Sequence, residues 1–152
     1  MTIHRIQEEI IKEFEQYIEW EDRYKRIIEI GKELPPLNET LRTEKYKLAG
    51  CQSQVWINAK LENGKIYFEA DSDASIVKGL IALLIRVYSG HTPEEILENP
   101  PDFFRRIGID SHLSPTRKNG LSAMMKQIQM YALAFKALNK KNQGDNINQQ
   151  GG

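Results

Sequence analysis

The chain has 152 residues, enough to bury the core of one domain and too few for two. Its 21 lysines and arginines balance 21 aspartates and glutamates, so no overall field draws it to nucleic acid or to an anionic membrane. A solitary cysteine, Cys51, excludes an internal disulfide, a CxxC redox pair, and any zinc or iron–sulfur site built from several of the chain's own thiolates.

The chain opens with an amphipathic helix, because Ile3, Ile6, Ile10, Phe14, Tyr17 and Ile18 recur at steps of three and four. This opening stretch, MTIHRIQEEI, has neither the basic start nor the continuous apolar run of a secretory signal, and Gly79 to Ile85 is too short an apolar run to cross a bilayer. A cytoplasmic, reducing location is the expectation. Trp20, Tyr24, Ile27, Ile28 and Leu34 mark a second helix, which Pro35-Pro36 ends. A third strand of the coming sheet is placed at Leu41 to Leu48. Val55, Ile57, Ala59 and Leu61 then alternate with polar neighbours, as do Ile66, Phe68 and Ala70, around the turn pair Asn63-Gly64. That pattern predicts an antiparallel hairpin.

Asp73 is expected to cap a buried helix from Ala74 to Tyr88. Thr92-Pro93-Glu94-Glu95 reads as an N-cap, a first-turn proline and a capping-box glutamate, opening a short helix that Asn99-Pro100-Pro101 stops. A helical turn follows over Asp102 to Ile107, closed by Gly108. Leu121, Met124, Met125, Ile128, Tyr131, Ala132, Phe135 and Leu138 form the stripe of a last helix, with Ser114-Pro115 as turn or cap and Asn119-Gly120 at its start. The domain is thus expected to span residues 1–138, and the polar stretch 139–152 to be a disordered tail. Helices flanking a small antiparallel sheet of about three strands make an α+β fold.

Chemistry concentrates at two places. Gly50-Cys51-Gln52-Ser53-Gln54-Val55-Trp56 sets the thiol in a polar, glycine-flanked loop before a strand, a poor setting for a cysteine that only fills a core. In Ser114-Pro115-Thr116-Arg117, turn chemistry explains the serine and proline but not Arg117, whose guanidinium would stabilise an anionic sulfur if the fold brought the two together. A solvated charge is the plainer reading of Arg117 from spacing alone. His112 could pair with Cys51 in a thiol hydrolase, and Asp71 and Asp73 are adequately explained by a hairpin end and a cap. The three histidines have no ligand spacing, so no metal is implied.

GCQSQVW at Gly50–Trp56, DSDASIVKGLIALL at Asp71–Leu84 and HLSPTRKNGLSAM at His112–Met124 together resemble the SufE family of sulfur-acceptor proteins, over roughly residues 3–138. The resemblance implies a fold shared with IscU-type scaffolds. It further implies a protein that takes sulfane sulfur from a SufS-type or CsdA-type cysteine desulfurase, stimulates that enzyme, and hands the sulfur to a SufBCD-type scaffold. By the match Cys51 is the persulfide acceptor and Arg117 an anion stabiliser or partner contact. Gly50, Gln52, Ser53, Gln54, Trp56, Asp71, Asp73 and His112 would shape the loop or the partner surface. Pyridoxal phosphate belongs to the desulfurase, so the chain itself needs no cofactor. The sulfur on Cys51 is expected to be sheltered at rest and exposed on docking. A Cys51–His112 hydrolase and a non-catalytic interaction protein are the alternatives, and monomer and homodimer both stay open.

Overall fold

A computed structural model of the chain describes residues 1–49 and 53–150, with side chains as far as Asn139. The two N-terminal helices are α1 (Ile3–Glu15), whose first turn is capped by the Thr2 hydroxyl, and α2 (Trp20–Lys32). A 3-10 turn over Glu39–Leu41 leads towards the hairpin of β1 (Val55–Glu62) and β2 (Lys65–Ser72). Then come α3 (Ser75–Tyr88), the short helices α4 (Pro93–Glu98), α5 (Phe103–Arg106) and α6 (Ile109–His112), and the long α7 (Pro115–Gln150). The α+β class expected from the sequence is what the chain adopts.

The hairpin register pairs Val55 with Ser72 and Leu61 with Ile66, so Val55, Ile57, Ile66, Phe68 and Ala70 share the face turned to the helices. Asn63 and Gly64 both take positive φ, 52° and 78°, the pair of values a type I′ turn requires. Among the described residues the sheet has two strands, not three. The Leu41–Leu48 stretch begins at the end of the 3-10 turn and reaches β1 only through a single bridge, Lys47 to Trp56. Two backbone hydrogen bonds hold it there, Leu48 N–H to Val55 O at 2.7 Å and Ile57 N–H to Tyr46 O at 3.0 Å. Turns at residues 44–46 bend the chain away from the edge before a longer ladder can form.

Helix α3 is the centre of the core, with Leu80, Ile81, Leu83, Leu84 and Val87 all buried. It crosses α2 closely because Gly79 meets Gly31: a Cβ on Gly31 would stand 2.7 Å from the Gly79 nitrogen, and one on Gly79 would overlap the Ile27 carbonyl. Two polar side chains tie distant segments. Gln7 donates to Pro100 O and accepts from Phe103 N–H, and Arg23 donates to Tyr17 O and Ile107 O.

Two expectations about caps and helix starts need correction. Asp73 does not cap α3: the N-cap position is Ala74, with no side-chain cap bond, the Ser72 hydroxyl accepts the Ala74 N–H just before the helix, and the Asp73 carboxylate is engaged elsewhere. Asn119-Gly120 does not open the last helix, which starts at Pro115 with the Ser114 hydroxyl accepting the Arg117 N–H. The α7 backbone runs to Gln150, and Ala132 is the last buried side chain on it among the described residues. The capping of α4 by Thr92, by contrast, is as the sequence reads: its hydroxyl accepts the Glu95 N–H at 3.2 Å.

Candidate functional site

Gly50, Cys51 and Gln52 lie outside the described residues, and with them the expected shelter of the thiol. The two stems of that segment are held by hydrogen bonds. On the N-terminal side, the bonds of Tyr46 and Leu48 to β1 fix the chain two residues before Gly50. On the C-terminal side Gln54 is held three ways: its N–H donates to Asp73 Oδ1 at 2.9 Å, and its carbonyl accepts from the Ser72 hydroxyl at 2.8 Å and from the Asp73 N–H. Asp73 is therefore a clasp between the stem and the turn leading into α3. That use wins over helix capping because two backbone groups of Gln54 are satisfied together.

Ser53 and Arg117, 64 positions apart in the sequence, come together in one cavity of about 250 Å³ between β1, α3 and the first turns of α7. Val55, Val77, Leu80, Leu121 and Met124 give it an apolar lining, with Thr116 and Gly120 at the rim of α7. Arg117 is half-buried there, and its Nη1 is fully buried with no hydrogen-bond partner among the described residues. A buried guanidinium nitrogen without an acceptor is costly, and an anion in the cavity would offset that cost.

Asp71 forms the floor beneath the opposite face of the sheet. It is 1% exposed, bonded by the Arg42 guanidinium, and 3.3 Å from Lys78 Nζ, while Oδ1 accepts the Ser72 N–H at 2.8 Å. Burial works against its charge, but the Ser72 N–H, the Arg42 bond and the two cations outweigh it, and the carboxyl is held below its ordinary value. Arg42 also lies over the Trp56 ring at 5.3 Å, and Trp56 is the cross-strand partner of Asp71. Trp56 is therefore buried under this cation rather than offered as open surface. Arg42 and Lys78 were not among the residues the sequence singled out. Arg42 acts on a residue 29 positions away, which leaves no periodic signal.

His112 is not brought to the cavity. It is exposed, and its ring stacks on Trp20 at 4.4 Å with planes 9° apart. A thiol hydrolase that used it would have to give up that stack. Among the described residues no three histidine, aspartate or glutamate side chains are grouped as a metal site, and no helix is long and apolar enough to cross a membrane.

Residues 8–132 match the family model described as SufE, the Fe-S metabolism associated domain. An uncharacterized SufE-like protein of Synechocystis is 42% identical over 126 residues, which are 83% of this chain and 79% of that protein. One from Rhizobium meliloti is also 42% identical, covering 82% of this chain and 93% of its own length. Among solved structures, that of a hypothetical protein from Thermus thermophilus superposes with a TM-score of 0.71 at 25% identity, over 87% of this chain and 96% of the other, and so shares the fold. The chain belongs to the SufE family, and its place is in iron–sulfur metabolism.

Proposed function

We propose that this protein is a sulfur carrier that accepts persulfide sulfur on Cys51 from a SufS-type or CsdA-type cysteine desulfurase, stimulates that enzyme, and delivers the sulfur to a SufBCD-type scaffold. The Cys51 thiolate attacks the outer sulfur of the donor persulfide; a new S–S bond forms at Cys51, the donor S–S bond breaks, and the donor cysteine leaves as a thiolate. No electrons are gained or lost overall. The chain carries the sulfur without a cofactor of its own, pyridoxal phosphate being the desulfurase's, and acts in the reducing cytoplasm. It has no independent turnover.

The observation that best supports this reading is the buried Nη1 of Arg117 in the cavity that Ser53 lines, two residues from Cys51. A guanidinium there lowers the pKa of a nearby thiol from about 8.5 and favours the anionic sulfur at neutral pH. The lone cysteine agrees with carriage, since a second thiol could attack the persulfide, release sulfide and leave a disulfide.

Incubation with a cysteine desulfurase and cysteine, followed by mass spectrometry, should find one reducible sulfur atom added at Cys51. An active desulfurase with no adduct would overturn the assignment. Cys51→Ser should lose both the adduct and the stimulation.

A further inference from the structure

We propose that the groove between residues 45–49 and α7 is a docking surface for a partner protein segment that presents acidic side chains around an apolar anchor. It is a second recognition surface beside the thiol loop, separate from the Arg117 cavity, and it rests on the sulfur-carrier reading only for the purpose of its nearness to Cys51.

The groove encloses about 400 Å³. Its cationic groups are Lys45, Lys47 and Lys126, and no carboxylate lines it. Lys126 makes no ion pair among the described residues, and Lys47 has only Glu44, at 3.7 Å, whose side chain is 91% exposed and weakly held. In a chain of zero net charge this is a local positive field rather than part of a general one.

The floor is apolar and rigid. Tyr131 donates its hydroxyl to Ile57 O at 3.3 Å and stacks on Phe135, so its ring is fixed between β1 and α7. Met130, 61% exposed, stands at the wall. An exposed methionine over an aromatic floor, beside Lys126 without an ion pair among the described residues, Lys47 held only by Glu44 and Lys45 over the Tyr46 ring, is the composition of an interface with a charged rim. Basic residues around apolar ones select the complementary pattern, carboxylates flanking a leucine or an aromatic side chain.

The position supplies the use. Ala49 lines this groove and Ser53 lines the Arg117 cavity, so the two residues flanking 50–52 belong to different concave surfaces. Cys51 is two residues beyond Ala49, within about 7 Å along the chain. A segment seated in the groove is delivered next to the sulfur without occupying the cavity that faces Arg117.

The test uses the full chain and a fluorescent amphipathic peptide with glutamates flanking a Leu-Phe anchor. A counterpart carrying lysines in place of the glutamates and a short single-stranded oligonucleotide serve as alternatives. The acidic peptide should bind, weaken with added salt, and shift the NMR amide signals of residues 45–49 and 126–131. K45E/K47E/K126E should weaken it by about tenfold or more and Met130→Ser by a few-fold, both with unchanged thermal midpoints, since these side chains are exposed. Cys51→Ser should bind as the parent does, so failure of sulfur loading and failure of docking are separate results. Equal binding of the two peptides, stronger binding of the oligonucleotide, self-association through these residues, or full affinity in the triple variant would each overturn the proposal.

Discussion

The α2–α3 crossing and the open end of the hairpin hold the same layers together by opposite means. At the crossing, Gly31 and Gly79 let two backbones touch, and the surroundings are apolar and filled. At the hairpin end the ties are polar: the Gln54–Asp73 clasp, the Asp71 cluster with half-exposed Arg42 and Lys78, and a cavity with a buried guanidinium nitrogen. Close packing is bistable at best and resists small displacement, whereas hydrogen bonds near the surface exchange with water one at a time. A close-packed platform thus carries a hairpin end whose stems are held by polar ties.

The crossing should break first. Gly79→Ala puts a methyl group against the Ile27 backbone, which cannot yield as a side chain would, and should cost about 3 kcal/mol or more by urea denaturation. An unchanged midpoint would mean that the crossing has slack. Asp71→Ala comes next, at about 1–3 kcal/mol, less than for a wholly buried pair because Arg42 and Lys78 can turn to water. The pH dependence has a definite sign. The folded carboxyl titrates below the ordinary 3.8, so its contribution is complete above that value and is lost as pH falls through the lower, folded one. Asp71→Asn should flatten the acid limb of the stability profile; an identical limb would place the acid sensitivity elsewhere.

The same division decides what the sequence reveals. The hairpin is legible because two-residue alternation and Asn63-Gly64 are local, and α4 because Thr92, Pro93 and Glu95 fall within one turn. The third strand is not, since the apolar content of 41–48 is compatible with a strand while the turns at 44–46 leave one bridge. Asp73 reads as a cap, yet the helix begins one residue later with Ala74 at the N-cap, and Gln54 offers another use for the carboxylate. Arg117 is singled out by what turn chemistry fails to explain, but the apolar cavity around its buried nitrogen, with Val77 and Leu80 from α3, is a tertiary product. Arg42, Gln7 and Arg23 act across 29, 93 and 84 residues, beyond the reach of any periodicity.

Gly64→Ala sharpens the contrast by repeating the Gly79 substitution where space is open. No atom lies within 4 Å of the added carbon, so only the positive φ of 78° is penalised, at about 1 kcal/mol. If the two alanine variants cost the same, close packing would not be what distinguishes the crossing.

Arg117→Ala should have the smallest effect on stability and a large one on chemistry. The side chain leaves a buried nitrogen without a partner among the described residues, so its removal relieves an unpaired polar group while losing some apolar contact of its stem. The thermal midpoint should change by no more than the equivalent of about 0.5 kcal/mol. On the proposed reading, sulfur loading at Cys51 should slow and the pH at which loading is half-maximal should move upward, because a thiol that loses a cation beside it is ionised only at higher pH. Arg117→Lys should restore part of that shift, as a charge without the planar fork. A slower rate at an unmoved pH midpoint, unrelieved by lysine, would assign Arg117 to partner contact instead of to the anionic sulfur.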